Sequence, residues 1–402
     1  EGYLTKGISN EEDGLIKNDK PILTNAQEAL VYKDIIQPIL KDKCYGCHSA
    51  IKQKGKLRLD EKEWILKGGE DGIIIHAGEA MNSVMYKNIL LDNDIDLSHT
   101  LFKNKVIPEL SSERPTLMIL IDNLRYDQWK CLEPDIISDY KVTVNEIYSS
   151  IIPTTTQYSR NSIFSGLSPI EINKKHNELW KNENDEGGKN LFEKLLLKEQ
   201  LVRLGKNISF NYHKVINTKE GIKYYEKLEN EKQNDLSVLV YNFVDMISHA
   251  KKDVNFIKEL AKDDKAYRSL TLSWYNNSNL KKIITKAKEL GYKIIITTDH
   301  GTINVNTPSL VSGDKEISTN LRYKTAKKIN SETKKVIKID DPSSFLLPSN
   351  YLSSCFIFAK ENTYFVYSNN YNNYVNMFKN TYQHGGVSLE EMLVPFVVIK
   401  PK

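Results

Sequence analysis

TLMILID (residues 116–122), SVLVYNFVD (237–245) and YKIIITTDH (292–300) decide the fold of this chain. Each is an apolar, β-branched run that closes on an acid: Asp122, Asp245 and Asp299, the last followed by His300. Near-continuous apolar strands belong to a parallel sheet buried on both faces, and such sheets place their ligands outside the carboxyl ends of the strands. The three acids are therefore expected along one edge. His249 follows Asp245 by four residues, a spacing that puts both side chains on one face of a helical turn. His384 stands in the glycine-flanked string TYQHGGVSLEEM (381–392). Carboxylates mixed with imidazoles suit zinc or manganese, whereas calcium and magnesium take oxygen ligands. IIPTTTQYSRNSIFSG (151–166) adds hydroxyls, with Thr156 as the candidate nucleophile and Thr154 and Thr155 as its alternatives. An acid–imidazole cluster with a hydroxyl nucleophile is equipment for two-metal phosphoryl transfer.

The 402 residues are enough for two or three domains, and a hydrophobic share of 40% can fill their cores. Fifty-six basic against 52 acidic residues, a net charge of +4, describe a mixed solvated surface and name no nucleic-acid partner. No apolar run approaches the roughly 18 to 20 residues of a membrane-spanning helix, so none is expected. The chain starts at Glu1 without a charged start and apolar core, which reads as a removed leader or a fragment. Of four cysteines, Cys44 and Cys47 belong together while Cys131 and Cys355 read as lone thiols, so a disulfide framework is not expected.

Residues 1–24 are polar and read as a flexible arm. A helix is expected over EALVYKDIIQPIL (28–40), and the acidic string LLDNDIDLSH marks a junction near 93–98. Beyond it, HTLFKNKVIPEL (99–110) reads as an amphipathic helix leading into the strand that ends at Asp122. A helix over 189–205 stopped by Gly205, a strand at 206–213, and one or two helices within 256–291 stopped by Gly291 follow in alternation. VIKIDDPSSFLLP (336–348), SSCFIFAKENTYFVYS (353–368) and MLVPFVVIK (392–400) read as further strands of a doubly wound α/β sheet.

CYGCH (44–48) is a haem c attachment string: two thiols for the vinyl groups and an imidazole for iron. Alone it reads equally as half a zinc site or coincidence. Its surroundings, IIQPILKDKCYGCHSAIKQKGKLRLDEKEWILKGG (35–69), resemble the planctomycete-type cytochrome c domain. That resemblance implies a small, mainly helical segment over 25–96, haem carried on Cys44 and Cys47 with His48 as ligand, and an oxidising, periplasmic setting. The family's distal methionine stands in a His-Met-Pro-type string. Here the chain reads LDNDIDLSHT (91–100), leaving Met81, Met85 and His76 at other places. A haem held here is expected to be five-coordinate or poorly ligated.

LIDNLRYDQWK (120–130), the threonine string, VLVYNFVDMISHA (238–250), IITTDHGT (295–302), GDKEISTNLRYK (313–324) and QHGGVSLEEMLVP (383–395) closely resemble the PglZ-type effector domain of PorX-like response regulators, in the alkaline phosphatase superfamily. The resemblance runs over 97–402. It implies an alkaline-phosphatase-like central sheet flanked by helices and a zinc-dependent phosphodiesterase using Thr156. One metal would be held by Asp122, Thr156, Asp299 and His300, the other by Asp245, His249 and His384. Nucleotide or oligonucleotide diesters, cyclic or linear, are the implied substrates, and the cytoplasm the implied compartment. Arg160 and Asn161 suit phosphate oxygens, with Arg160 equally readable as an ion-pair partner. Lys315, Asn320 and Arg322 are candidates for a substrate-side loop, whereas His99, His176 and His213 match no ligand string and read as structural. The relatives' receiver domain is not recognisable in the sequence, so the two halves read as a chimera. Two other functions compete with hydrolysis. One is a metal-holding regulatory module for a sigma factor or secretion-system partner, working as a homodimer; the other is haem c electron transfer.

Overall fold

A computed structural model describes residues 37, 40–41, 44–70, 72–75, 96–111, 114–183, 185–242, 261–313, 318–349 and 354–402. The three apolar runs do what their patterning requires. β1 (Thr116–Ile121) lies at the centre of a six-stranded sheet. β2 (Tyr140–Ser149) forms one edge and β3 (Phe210–Val215) the other, with β4 (Leu236–Tyr241) and β5 (Lys293–Thr297) flanking β1 in parallel. Every residue of β1, β4 and β5 is buried, as a strand covered on both faces demands.

Period-two alternation divides the core in two. Met118, Leu120, Val238, Val240 and Ile295 enter one cluster with Phe164 and Leu197, while Leu117, Ile119, Leu239, Ile294 and Ile296 enter the other with Trp129 and Ile283. The helices Thr156–Ser165 and Glu193–Arg203 therefore cover one face. Tyr126–Ile137, Asp264–Asn277 and Asn279–Glu289 cover the opposite one. Each fully buried leucine or isoleucine in these layers contributes on the order of 1.5–3 kcal/mol. The expected helix at 99–110 is observed over Ser98–Glu109 with a π turn at Phe102–Val106 that keeps Leu101, Phe102 and Val106 inward.

Two expectations about strands change. The terminal strand, Leu393–Pro401, enters antiparallel between β5 and β2, so the sheet is mixed rather than wholly parallel. Cys355–Ala359 and Val336–Ile339 do not join it. Cys355–Ala359 instead lies between Val336–Ile339 and Tyr323–Ala326 in a small antiparallel sheet whose core holds Ile357, Ala359 and Val336. The stretch 256–291 breaks at Ser278, whose extended backbone ends one helix and starts the next.

In the amino-terminal segment Leu40, Leu59 and Ile65 form a small core of their own. The described residues there include the helix Lys62–Lys67, a 3-10 turn at Lys54–Lys56, and helical positions at 37 and 40–41. Most of the helix expected at 28–40 and the stretch with His76, Met81 and Met85 fall outside the described residues. Among the described residues no helix is long and apolar enough to cross a membrane.

Candidate active site

Asp122 leaves the end of β1 with its amide donating to the Tyr241 carbonyl (3.0 Å), one strand over. Asn123 follows in the left-handed region, φ 62°, and its amide donates to Asp299 Oδ1 at 3.1 Å. The His300 amide donates to the same oxygen (3.1 Å), and Ser150 Oγ donates to the Asp299 carbonyl (2.7 Å). One carboxylate oxygen of Asp299 is thus fixed by backbone, while Oδ2 is buried with no hydrogen-bond partner. Asp122, Asp299 and His300 each offer a ligand atom, all within 4.8 Å of one another. A cation fits this set: three buried donors converge, and Asp299 Oδ2 among them accepts no hydrogen bond.

The imidazoles are arranged to the same end. His300 Nδ1 donates to the Gly301 carbonyl at 3.1 Å, and His384 Nδ1 donates to the Thr154 carbonyl at 3.2 Å. Because a carbonyl only accepts, each ring carries its proton on Nδ1 and keeps the Nε2 lone pair free. The two rings stack at 4.4 Å between centroids and 20° between planes. Burial lowers the affinity of His300 for a proton, and burial together with neighbouring His300 holds His384 down at about 4. Both are neutral near pH 7, the state a metal requires. Burial, reinforced by Asp299, pushes Asp122 above the usual carboxylate range, and burial also raises Asp299.

Thr156 is the first residue of its helix. Its hydroxyl lies 3.2 Å from His300 Nε2 and donates to Asp122 Oδ1 at 3.4 Å. Thr154 is engaged elsewhere: Oγ1 accepts from Gly385 N at 3.1 Å and donates to the Gly386 carbonyl at 2.8 Å. Thr155 is the N-cap residue and is buried. Of the three threonines, Thr156 is the one whose hydroxyl bonds to the acid–imidazole cluster.

Arg160, one helical turn on, lies under the site and makes ion pairs. Its guanidinium is 2% exposed, bonds Glu193 through Nε, and sets Nη1 at 3.2 Å from Asp122 Oδ2 and 3.9 Å from Asp299 Oδ2. Burial works against its charge, but Glu193, Asp122 and Asp299 outweigh that and raise its pKa. The structure shows these ion pairs, with Nη1 facing the two site carboxylates and making no hydrogen bond. Asn161 is likewise turned inward, donating to the Lys189 carbonyl (3.1 Å) and accepting from Asn190 (3.1 Å). Arg322, expected on a substrate-side loop, is fully buried and forks onto Glu391. Lys315 lies outside the described residues, as do Asp245 and His249. Glu193, Glu391 and Tyr148, whose hydroxyl bonds the Thr298 carbonyl, are site neighbours that the sequence reading missed. Glu391 had a signal, since it shares a string with His384.

Cys44 and Cys47 are both free and half-buried, and the His48 amide donates to the Cys44 carbonyl at 2.9 Å. His48 Nδ1 is buried without a partner. Two free thiols and an uncommitted imidazole in one turn fit covalent haem attachment.

Residues 44–96 match the planctomycete cytochrome C family profile. No curated protein matches the chain. Similar solved structures include murine ectonucleotide pyrophosphatase/phosphodiesterase 5, with 12% identity, a TM-score of 0.49, and coverage of 71% of this chain and 88% of that one. Phosphonoacetate hydrolase from Sinorhizobium meliloti 1021, in complex with phosphonoformate, matches at 13% identity and a TM-score of 0.43, covering 71% of this chain and 89% of that one. Residues 101–399 match the BREX system PglZ alkaline phosphatase-like domain, so the chain belongs to that family and is a metal-dependent phosphoester hydrolase.

Proposed function

We propose that the domain over 97–402 is a zinc-dependent phosphodiesterase acting on nucleotide or oligonucleotide diesters through covalent phosphorylation of Thr156. The observation that carries this reading is the placement of the Thr156 hydroxyl at a helix N-terminus, in contact with both Asp122 and His300. Asp122, Thr156, Asp299 and His300 would hold one ion, and Asp245, His249 and His384 the other. When bound, the ions supply Lewis acidity for the threonine hydroxyl and for the departing oxygen. In the first step the Thr156 Oγ–P bond forms, the ester P–O bond breaks, and the alcohol leaves with a proton. In the second, water attacks phosphorus, the Oγ–P bond breaks, and the hydroxyl is restored. The helix N-terminus behind Thr156 favours the anionic phosphoryl group in both. Asn123 and His300 amides hold Asp299 rigid throughout.

The test is hydrolysis of bis(p-nitrophenyl) phosphate by chelator-stripped protein titrated with zinc. Activity returning as two ions per chain are added supports the reading. Two bound ions with no turnover would leave the regulatory-module reading in its place. The cytochrome-like segment carries a separate proposal, haem bound through Cys44 and Cys47 in an oxidising compartment, which rests on the family match and the free thiols. Haem remaining on the polypeptide after denaturation and extraction would support it; its absence after expression with a haem-attachment system would oppose it.

A further inference from the structure

The two stacked imidazoles belong to different chain segments, one after β5 and one near the C-terminus, yet a single buried ion pair touches both segments. Glu391 is fully buried. Its Oε1 accepts from Gly386 N at 2.8 Å and from Arg322 Nε at 3.2 Å, and its Oε2 accepts from Ser388 N at 3.0 Å and from Arg322 Nη2 at 2.8 Å. All four bonds are charge-assisted, the stronger kind, and they use both carboxylate oxygens. On the other side, the Glu391 main-chain carbonyl accepts from Gly301 N at 2.9 Å. Gly301 follows His300, and Gly386 stands two residues after His384.

The glycines show how tightly this junction is built. A Cβ at Gly301 would meet the Glu390 carbonyl at 2.1 Å, and one at Gly386 would meet Arg322 Nη2 at 2.5 Å and Glu391 Oε2 at 2.8 Å. Gly385, at φ 113°, lets the chain turn between them. Arg322 is itself anchored, with Nη1 donating to the Thr363 carbonyl of the small β region. The 384–388 turn is therefore wrapped around one carboxylate whose position the rest of the domain fixes.

We infer that Glu391, held by Arg322, is a positioning residue that sets the placement of His384 relative to His300 and so joins the two halves of the metal centre. This rests on the two-ion reading above. It assigns to the Arg322–Glu391 pair a task beyond stability. A buried ion pair is weak evidence for stability in itself, since its desolvation offsets much of its attraction. The imidazoles' own outer partners are the Thr154 and Gly301 carbonyls. Glu391 acts one step further out by fixing the chain beside them, so its loss is expected to fall at the lower end of the about 10- to 100-fold drop in metal affinity that outer-partner changes cause.

Manganese is the probe, because two neighbouring Mn(II) ions give an exchange-coupled magnetic resonance spectrum that isolated ions do not. The stripped full chain is titrated with manganese as wild type, Glu391→Gln and Glu391→Asp. The aspartate variant keeps the charge opposite Arg322, so folding survives, but it shortens the reach to Gly386 and Ser388. Thermal melting of the metal-free proteins monitors the fold. The expected result is two tight equivalents and a coupled spectrum in wild type. In both variants one equivalent should weaken by about tenfold or more and the spectrum become that of separated ions. A folded variant with wild-type affinity for both equivalents and an unchanged coupled spectrum overturns the inference. A wild-type chain that binds no pair of ions overturns the two-ion reading instead.

Discussion

Replacing Arg160 with methionine separates its role as a built-in counter-ion from any role in catalysis. The guanidinium stands 3.2 Å from Asp122 and 3.9 Å from Asp299, both buried. At an effective dielectric of about 20 these separations correspond to roughly 4–5 kcal/mol of gross attraction to each carboxylate. The cost of burying Arg160 offsets part of that, and removing one partner of a buried ionic set typically costs about 3–5 kcal/mol net. Glu193 retains Lys214 at 2.9 Å and the Tyr212 hydroxyl, so the uncompensated charge falls chiefly on Asp122 and Asp299. A loss of this size is a large part of the roughly 5–15 kcal/mol that holds a domain folded. A divalent cation on the same carboxylates replaces the missing positive charge. The variant is therefore expected to unfold at a markedly lower urea concentration than wild type when stripped of metal, with at least half of that difference removed by saturating zinc. Urea midpoints of both proteins, with chelator and with zinc, check this. Equal midpoints without metal, or a displacement that zinc leaves unchanged, would refute the reasoning.

Further outcomes follow from the same geometry. Thr156→Ala is expected to reduce turnover of a diester by at least about a hundredfold while zinc still binds, measured by steady-state hydrolysis beside zinc titration. His384 sits at about 4 in the folded protein against 6.5 in the unfolded chain, a depressed value, so its contribution is full above 6.5 and lost as pH falls towards 4. The interval corresponds to roughly 3 kcal/mol. Asp122 and Asp299, raised by burial, slope the other way, so the check is the difference in melting between stripped wild type and His384→Asn across pH 4 to 7. Gly301→Ala forces a Cβ onto the Glu390 carbonyl and is expected to destabilise by about 1–3 kcal/mol, read from denaturant midpoints. Cys44→Ser with Cys47→Ser should leave zinc-dependent hydrolysis unchanged in the same assay.

Much of this was legible because physics wrote it redundantly. TLMILID, SVLVY and YKIIIT can only be strands covered on both sides, and an acid at the end of such a strand lands on the ligand-binding edge. DHG and QHGG were legible as special positions. Their glycines prove necessary because carbonyls and side chains fill the space a Cβ would need. The antiparallel entry of Leu393–Pro401 was not legible, since an apolar run reads the same in either direction. The separate pairing of Cys355–Ala359 was hidden for the same reason: alternation specifies a strand, not its neighbour. Arg160 was ambiguous because its partner Glu193 lies 33 residues away and is fixed only by helix-on-helix packing. Glu391 was overlooked because an acid following a serine by three residues also makes a capping box, and it does that here as well.

The central claim, that Thr156 attacks phosphorus, is tested most directly by stopping the zinc-loaded enzyme with acid during turnover of bis(p-nitrophenyl) phosphate and mapping the modified residue by mass spectrometry. A p-nitrophenylphosphoryl group on the peptide containing Thr156, missing from Thr156→Ala, is the predicted result. Rapid turnover with no modified threonine, or turnover retained by the alanine variant, would contradict it.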